Sequence, residues 1–230
     1  MASLRSFIRN KVPLSTELYE LRDTRRRLAK SRRQLKALQQ TDREIWLDLG
    51  GGDRKGTANW MTVDMTYGCD LYWDLRLGVP FADNSVARIY SSHLFEHLTY
   101  TDAQGLLAEC LRVLKPGGSF SIAVPNAQMY IEGYVGKREL PEEYFGWGPA
   151  FNATTGIDAI NYVAYMAGEH KYMFDEENLL HILRSSGFHG VSARGFDPET
   201  DMQERDFESI YAIAIKPNPE DLDSFSLSSP

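Results

Sequence analysis

Three features of this 230-residue chain combine residue types and spacing that can do chemistry. The first is "IWLDLGGGDRKG", from Ile45 to Gly56: an apolar run carrying one acid, Asp48, then Gly50, Gly51 and Gly52. Glycines straight after a buried strand leave backbone without Cβ atoms, and so leave room for a ligand. The second is Asp64, which ends the apolar run "WMTVD". Open α/β sheets bind ligands beyond the carboxyl ends of their strands, and an acid at the end of the second strand takes ribose hydroxyls. Glycines and acid together describe an adenosine site. The run lacks the third glycine of the dinucleotide fingerprint, and Asp48 precedes it, which points away from a pyrophosphate and towards a different nucleoside. The third feature is a set of 5 histidines, side chains whose ordinary pKa suits proton transfer near neutrality.

The elements that must position these residues follow from the apolar pattern. Strands are predicted at 45–50, 60–64, 70–73, 87–92 and 118–124, with two more at 189–195 and 209–215. Amphipathic helices fit 102–114 and 175–187, and Pro116-Gly117-Gly118 turns a helix into the next strand. Strands alternating with helices give an α/β fold with a mostly parallel sheet. Residues 126–171 break the alternation; they are aromatic, and too long for a connector. Before the first strand, "VPLSTELYELRDTRRRLAKSRRQLKALQQ" reads as a helix with Leu14, Leu21, Leu28 and Leu35 seven residues apart. Its companion positions Leu18, Arg25 and Arg32 leave half the seam charged. A coiled-coil dimer and a helix leaning on its own domain are equally good readings.

"LDLGGG", "VDM", "WDLRLGVPFADNSVARIYSSHLFEHL" and "LRVLKPGGSFSIAVPN" resemble the class I S-adenosylmethionine (SAM)-dependent methyltransferases. Within them, the small type-11-like group linked with polysaccharide biosynthesis is the nearest likeness. It covers residues 45–126 densely and resumes at "HKYMFDEENLLHILRSSGF". The resemblance implies a Rossmann-like sheet, mostly parallel with the last strand antiparallel, helices on both faces and an N-terminal helical arm. It implies SAM as cofactor and S-adenosylhomocysteine as product. Gly50, Gly51 and Gly52 would let backbone approach the amino-acid part of SAM, and Asp48 would order that loop. Asp64 would hold the ribose, with Met65 against the adenine. Asp74 and Leu75 would read the adenine edge. Ser92 and His93 would close the fourth strand where methyl donor and acceptor meet.

A hydroxyl acceptor must lose a proton as it attacks, so a base is needed. His170, just after the aromatic insert, is the first candidate on the pattern of this subgroup, and His93 the rival. His97 is expected to shape the site without doing chemistry, and His181 and His189 to be structural. The insert's aromatics, with Tyr144, Trp147 and Tyr165 as candidate substrate contacts, suit the C–H faces of a saccharide. The reading is therefore an O-methyltransferase for a saccharide or sugar-containing acceptor. A lipid-like, aromatic or amine acceptor is the alternative, and a SAM-binding scaffold without catalysis a third. Acidic residues are plentiful, so metal assistance stays open, but no tight Asp/His cluster stands out and no metal site is expected.

Composition narrows the partners. Residues 1–43 hold 12 Lys+Arg against 4 Asp+Glu, a net of +8, whereas residues 44–230 hold 13 against 28, a net of −15. An acidic body argues against a nucleic-acid groove. Two cysteines, Cys69 and Cys110, make no disulfide framework and point to the cytoplasm. The N-terminus lacks the apolar region of a signal peptide, and no run approaches the ~18 apolar residues of a membrane span. The expected organisation is a basic helical arm at 1–44, a methyltransferase domain at 45–216 with an aromatic lid at 126–171, and an acidic disordered tail at 217–230. The expected partner is a small-molecule or oligosaccharide substrate, with self-association through the helix or lid as a further option.

Overall fold

The structure, a computed structural model, describes residues 13–38, 40–41, 43–146 and 154–221. Trp147 and most of the acidic tail lie outside them. Seven strands form one sheet: β1 (Trp46–Leu49), β2 (Trp60–Asp64), β3 (Leu71–Tyr72), β4 (Val86–Ser92), β5 (Leu114–Pro125), β6 (His189–Arg194) and β7 (Ser209–Ile215), in the order β3-β2-β1-β4-β5-β7-β6. All pairings from β3 to β5 are parallel, and β7 runs antiparallel to both β5 and β6. The strand order reverses between β1 and β4, which are hydrogen-bonded neighbours with Leu49 opposite Ser91. That switch point is where open α/β sheets place their ligands.

Alternation along the strands builds the core. Leu47 and Leu49 of β1, Val63 of β2 and Phe120 of β5 are all wholly buried on one face. Helices α2 (Tyr100–Val113) and α5 (Glu176–Ser185) cover that face, burying Leu107 against Ile122, Leu179 and Leu183. Each such leucine stabilises the fold by roughly 1.5–3 kcal/mol. On the other face Trp46, Trp60 and Tyr90 stack edge to face at 5.4 and 6.3 Å. The segment between β6 and β7 folds over part of it: Arg194 pairs with Asp201, and Tyr90 Oη donates to the same carboxylate at 2.9 Å.

Helix α1 (Pro13–Leu38) docks by its C-terminal half. Leu35 and Leu38 pack on the core, and the buried Ser31 Oγ accepts from the Tyr72 N–H at 2.9 Å, satisfying a donor of the edge strand β3. Leu18 and Leu21 of the same helix stay exposed. The domain-leaning reading holds for the second half of the helix.

The aromatic insert holds two helices that the apolar pattern did not reveal, α3 (Ala127–Val135) and α4 (Gly156–Tyr165). Asn126 caps α3, and Thr155 with Asp158 forms a capping box on α4. Tyr130 and Tyr162 anchor a small second core between them, with Tyr144 and Phe145 packed against it. The insert is tied to the body where the Ala127 N–H donates to the Phe174 carbonyl at 2.9 Å. After α4, Met166, Ala167 and Gly168 all have positive φ, a left-handed run that swings His170 back towards β4.

Candidate active site

The glycine loop grows directly out of β1. Gly50 (φ +76°) and Gly52 (φ +65°) hold left-handed backbone that L side chains rarely adopt. A Cβ on Gly50 would stand 2.8 Å from Leu94 Cβ, so the loop is pressed against the turn that follows β4. A Cβ on Gly52 would meet nothing within 4 Å, so this backbone faces open space. The loop is held from below by Asp64, whose Oδ2 accepts from the Gly52 N–H at 3.0 Å while Oδ1 accepts from the Thr66 N–H at 3.0 Å. One bond to each oxygen fixes the carboxylate and leaves lone pairs for further donors. Met65, beside it, is half exposed.

Asp48 lies beneath the same loop. Burial pushes its carboxyl up to about 6, against the pull of the Arg54 guanidinium 3.5 Å away, and the neighbouring Asp64 adds to the rise. Its buried Oδ1 has no hydrogen-bond partner. Asp74 follows β3 and caps the turn Leu75–Leu77, accepting from the Arg76 N–H at 3.0 Å. The Arg76 guanidinium grips it through Nε and Nη2 at 2.9 and 2.8 Å, and that contact holds the Asp74 carboxyl below the usual range. Leu75 is buried behind it.

Ser92 ends β4, and His93 leads from it into the turn Phe95–His97. His93 adopts φ +51°, uncommon for a residue with a side chain, and this points its ring into a cavity of about 460 Å³. His93, Glu96, His97 and His170 line one wall of it, Tyr130, Tyr162, Val163 and Met166 of the lid another, and Arg205 and Glu208 a third. His170 is buried; its Nδ1 bonds the Val163 carbonyl at 2.8 Å. Burial lowers its pKa, only partly offset by that bond, so the ring is neutral near pH 7. His97 Nδ1 bonds the Glu169 carbonyl at 3.1 Å, and His93 Nε2 lies 2.9 Å from Ser209 Oγ.

The fold therefore brings His93 and His170, far apart in sequence, to one cavity, and sets the glycine loop against the turn leading to them. It leaves two of the candidate substrate contacts elsewhere: Tyr144 stacks on Phe207 at 5.2 Å, Tyr165 is exposed, and neither lines the cavity. His181 and His189 lie outside its lining too. Sequence reasoning missed Tyr130, Tyr162, Arg205 and Glu208, which the cavity recruits from the lid and from the segment before β7. It also missed Glu96, which the fold places with His97 and His170 so that their donor atoms all lie within 4.8 Å. The adjacent Glu96-His97 pair was the one visible signal, because nothing in the linear pattern ties it to His170.

A profile of the family described as "Methyltransferase domain" matches residues 74–122. The chain is similar to the ubiquinone/menaquinone biosynthesis C-methyltransferase UbiE of Desulfotalea psychrophila, 31% identical over 121 residues, which is 51% of this chain and 46% of that protein. Among solved structures, a SAM-dependent methyltransferase from Archaeoglobus fulgidus is 18% identical, with a TM-score of 0.49 and coverage of 86% of this chain and 99% of that one. Phosphoethanolamine N-methyltransferase 2 of Haemonchus contortus, in complex with SAM, is 14% identical, with a TM-score of 0.48 and coverage of 76% and 49%. The chain thus spans about half the length of the curated relative it matches.

Proposed function

We propose that this chain, a class I SAM-dependent methyltransferase, transfers a methyl group to a hydroxyl of a small polar acceptor held in the cavity beside β4, with a saccharide as the favoured class. SAM, when bound, supplies an electrophilic methyl on a good leaving group. The residues present suit it: Gly52 offers open backbone, Asp48 a buried oxygen without a partner, and Asp64 a carboxylate with spare lone pairs. In this reading Asp64 receives the ribose hydroxyls, Met65 flanks the adenine, Asp74 and the Leu75 N–H read its edge, and Gly50 to Gly52 with Asp48 receive the amino-acid end. Ser92 and His93 stand between the cofactor side and the cavity.

The observation that carries the acceptor reading is His170. Its Nδ1–H is committed to the Val163 carbonyl, which can only accept, so Nε2 keeps its lone pair. A neutral imidazole in the cavity wall can take the hydroxyl proton as the oxygen–methyl bond forms, and the lid keeps water from competing. The lining mixes the buried aromatics Tyr130 and Tyr162 with the polar Arg205 and Glu208, which suits a ligand with both C–H surface and hydroxyls. The apolar share of that lining supports an aromatic or lipid-like acceptor as the second reading.

The test is a SAM-consumption assay against mono- and oligosaccharides, with aromatic and lipid-like alcohols and amines alongside, reading S-adenosylhomocysteine and product mass. One added methyl on a sugar is the expected result; turnover confined to the other classes rejects the saccharide. His170→Ala should cut turnover by about 10²–10⁴-fold while SAM affinity stays the same. Full activity in that variant moves the base to His93.

A further inference from the structure

We propose that Glu96, His97 and His170 form a binding site for a divalent transition-metal ion of the zinc class, set in the cavity wall. The site stands without the methyl-transfer reading; only its role towards an acceptor rests on that reading.

Glu96 is 2% exposed, and the nearest side-chain nitrogen to its carboxylate, His93 Nδ1, stands 3.4 Å from Oε1, longer than a well-formed hydrogen bond. A buried carboxylate in that state is costly unless something positive meets it. What surrounds it is a ring of lone pairs. The His97 and His170 Nδ1 atoms face carbonyls, which accept only, so each carries a proton there, and in the neutral ring Nε2 is bare. Ser209 Oγ donates to the Arg205 carbonyl at 2.6 Å, so it accepts from His93 Nε2–H and leaves a bare Nδ1 on His93 in its neutral form. That Nδ1 is 3.4 Å from Glu96 Oε1, and His97 Nε2 is 3.8 Å from the same oxygen. With the imidazoles neutral, acceptors face acceptors around a buried anion, an arrangement that a cation at the centre satisfies.

The cation that matches is a metal ion. Imidazoles whose second nitrogen donates to a backbone carbonyl are the usual orientation of metal-bound histidine, fixed before the ion arrives. Two histidines and one carboxylate are a common catalytic zinc set that keeps a position open. With bonds of ~2.0–2.2 Å the edge of a tetrahedron is about 3.4 Å, close to the His97–Glu96 separation. Nitrogen-rich donors favour zinc, iron or cobalt over magnesium or calcium. All three proposed ligands line the cavity, so the ion's open position would face the acceptor space. A ligated His170 has no lone pair left for a proton, so in loaded protein the ion takes over activation of the acceptor oxygen.

The test uses the full chain, stripped with a chelator and titrated with Zn²⁺ alone by calorimetry, without SAM or acceptor. The expected result is one ion per chain, with affinity reduced at least about a hundredfold in both Glu96→Gln and His97→Ala, since even outer-shell changes cost ~10–100-fold. His181→Ala should bind as wild type. SAM affinity, measured in the same variants, should be unchanged, which shows that they are folded. Absence of saturable binding to the wild-type chain, or equal binding by wild type and both variants, overturns the site. Zinc binding in a chain that fails to bind SAM supports the site and rejects the methyltransferase reading, so the two fail separately.

Discussion

Asp48 shows what the glycine loop costs. Its carboxyl is raised to about 6 from 3.8, chiefly by burial, so the folded protein binds this proton more tightly than the unfolded chain does. The stabilising contribution of that proton is fully present below pH 3.8 and is lost as pH rises through about 6. Asp48→Asn should therefore be more stable than wild type at pH 7.5, by roughly 1–3 kcal/mol, with the difference gone near pH 4. Denaturant melts at the two values measure it. SAM affinity should fall in the same variant, because the partnerless Oδ1 is the atom assigned to the ligand. His170 has the opposite sense: burial lowers its pKa, so the neutral, proton-accepting form persists below histidine's ordinary 6.5. In chelator-treated protein kcat/KM should be flat across pH 7–8 and fall only below 6.5, and a midpoint above 6.5 would contradict the role. At this scale the sequence was legible for placement at strand ends: Asp64 closes β2 and the glycines follow β1, as expected. It did not tie Glu96 to His170, which reaches it through the return from the lid, nor show Arg76, whose grip on Asp74 depends on the turn geometry.

At the scale of elements, the lid is a second small core. Tyr130 and Tyr162 are each 1% exposed, and their rings meet at 6.1 Å, joining α3 to α4. Truncating such an aromatic removes its packing and leaves a cavity, typically ~3–5 kcal/mol. Tyr162→Ala should speed amide exchange in α3 and α4 and around His170, while β1, β4 and β5 keep their protection; equal loosening of the sheet would show that the lid is not a separate unit. The helices of the lid were hidden because both are short, 9 and 10 residues, and lie in a stretch whose flanking glycines and prolines read as loop. Their capping residues, Asn126 and the Thr155–Asp158 pair, were readable. The strands were easier: Leu47 and Leu49 alternate with half-buried neighbours, and Met61 and Val63 flank a buried Thr62 in a near-continuous apolar run.

The whole molecule is built on a sheet with a switch point between β1 and β4. The order β3-β2-β1-β4-β5-β7-β6 puts the glycine loop and the β4 turn next to each other, which neither segment alone announces. Sequence alternation predicted the parallel half, and the resemblance supplied the antiparallel last strand. The docking of α1 was undecidable from its leucines alone; it turns on Ser31, a small residue that meets the edge of β3. Everything proposed for the acceptor depends on the proposed nucleoside site at this switch point. The most direct measurement is calorimetric titration of SAM into the full chain and into Asp64→Ala. One SAM per chain, with binding weakened at least about tenfold in the variant, is the predicted result, since charge-assisted hydrogen bonds contribute roughly 1.5–3 kcal/mol. No SAM binding by the wild-type chain, or the same affinity without the Asp64 carboxylate, would contradict the account.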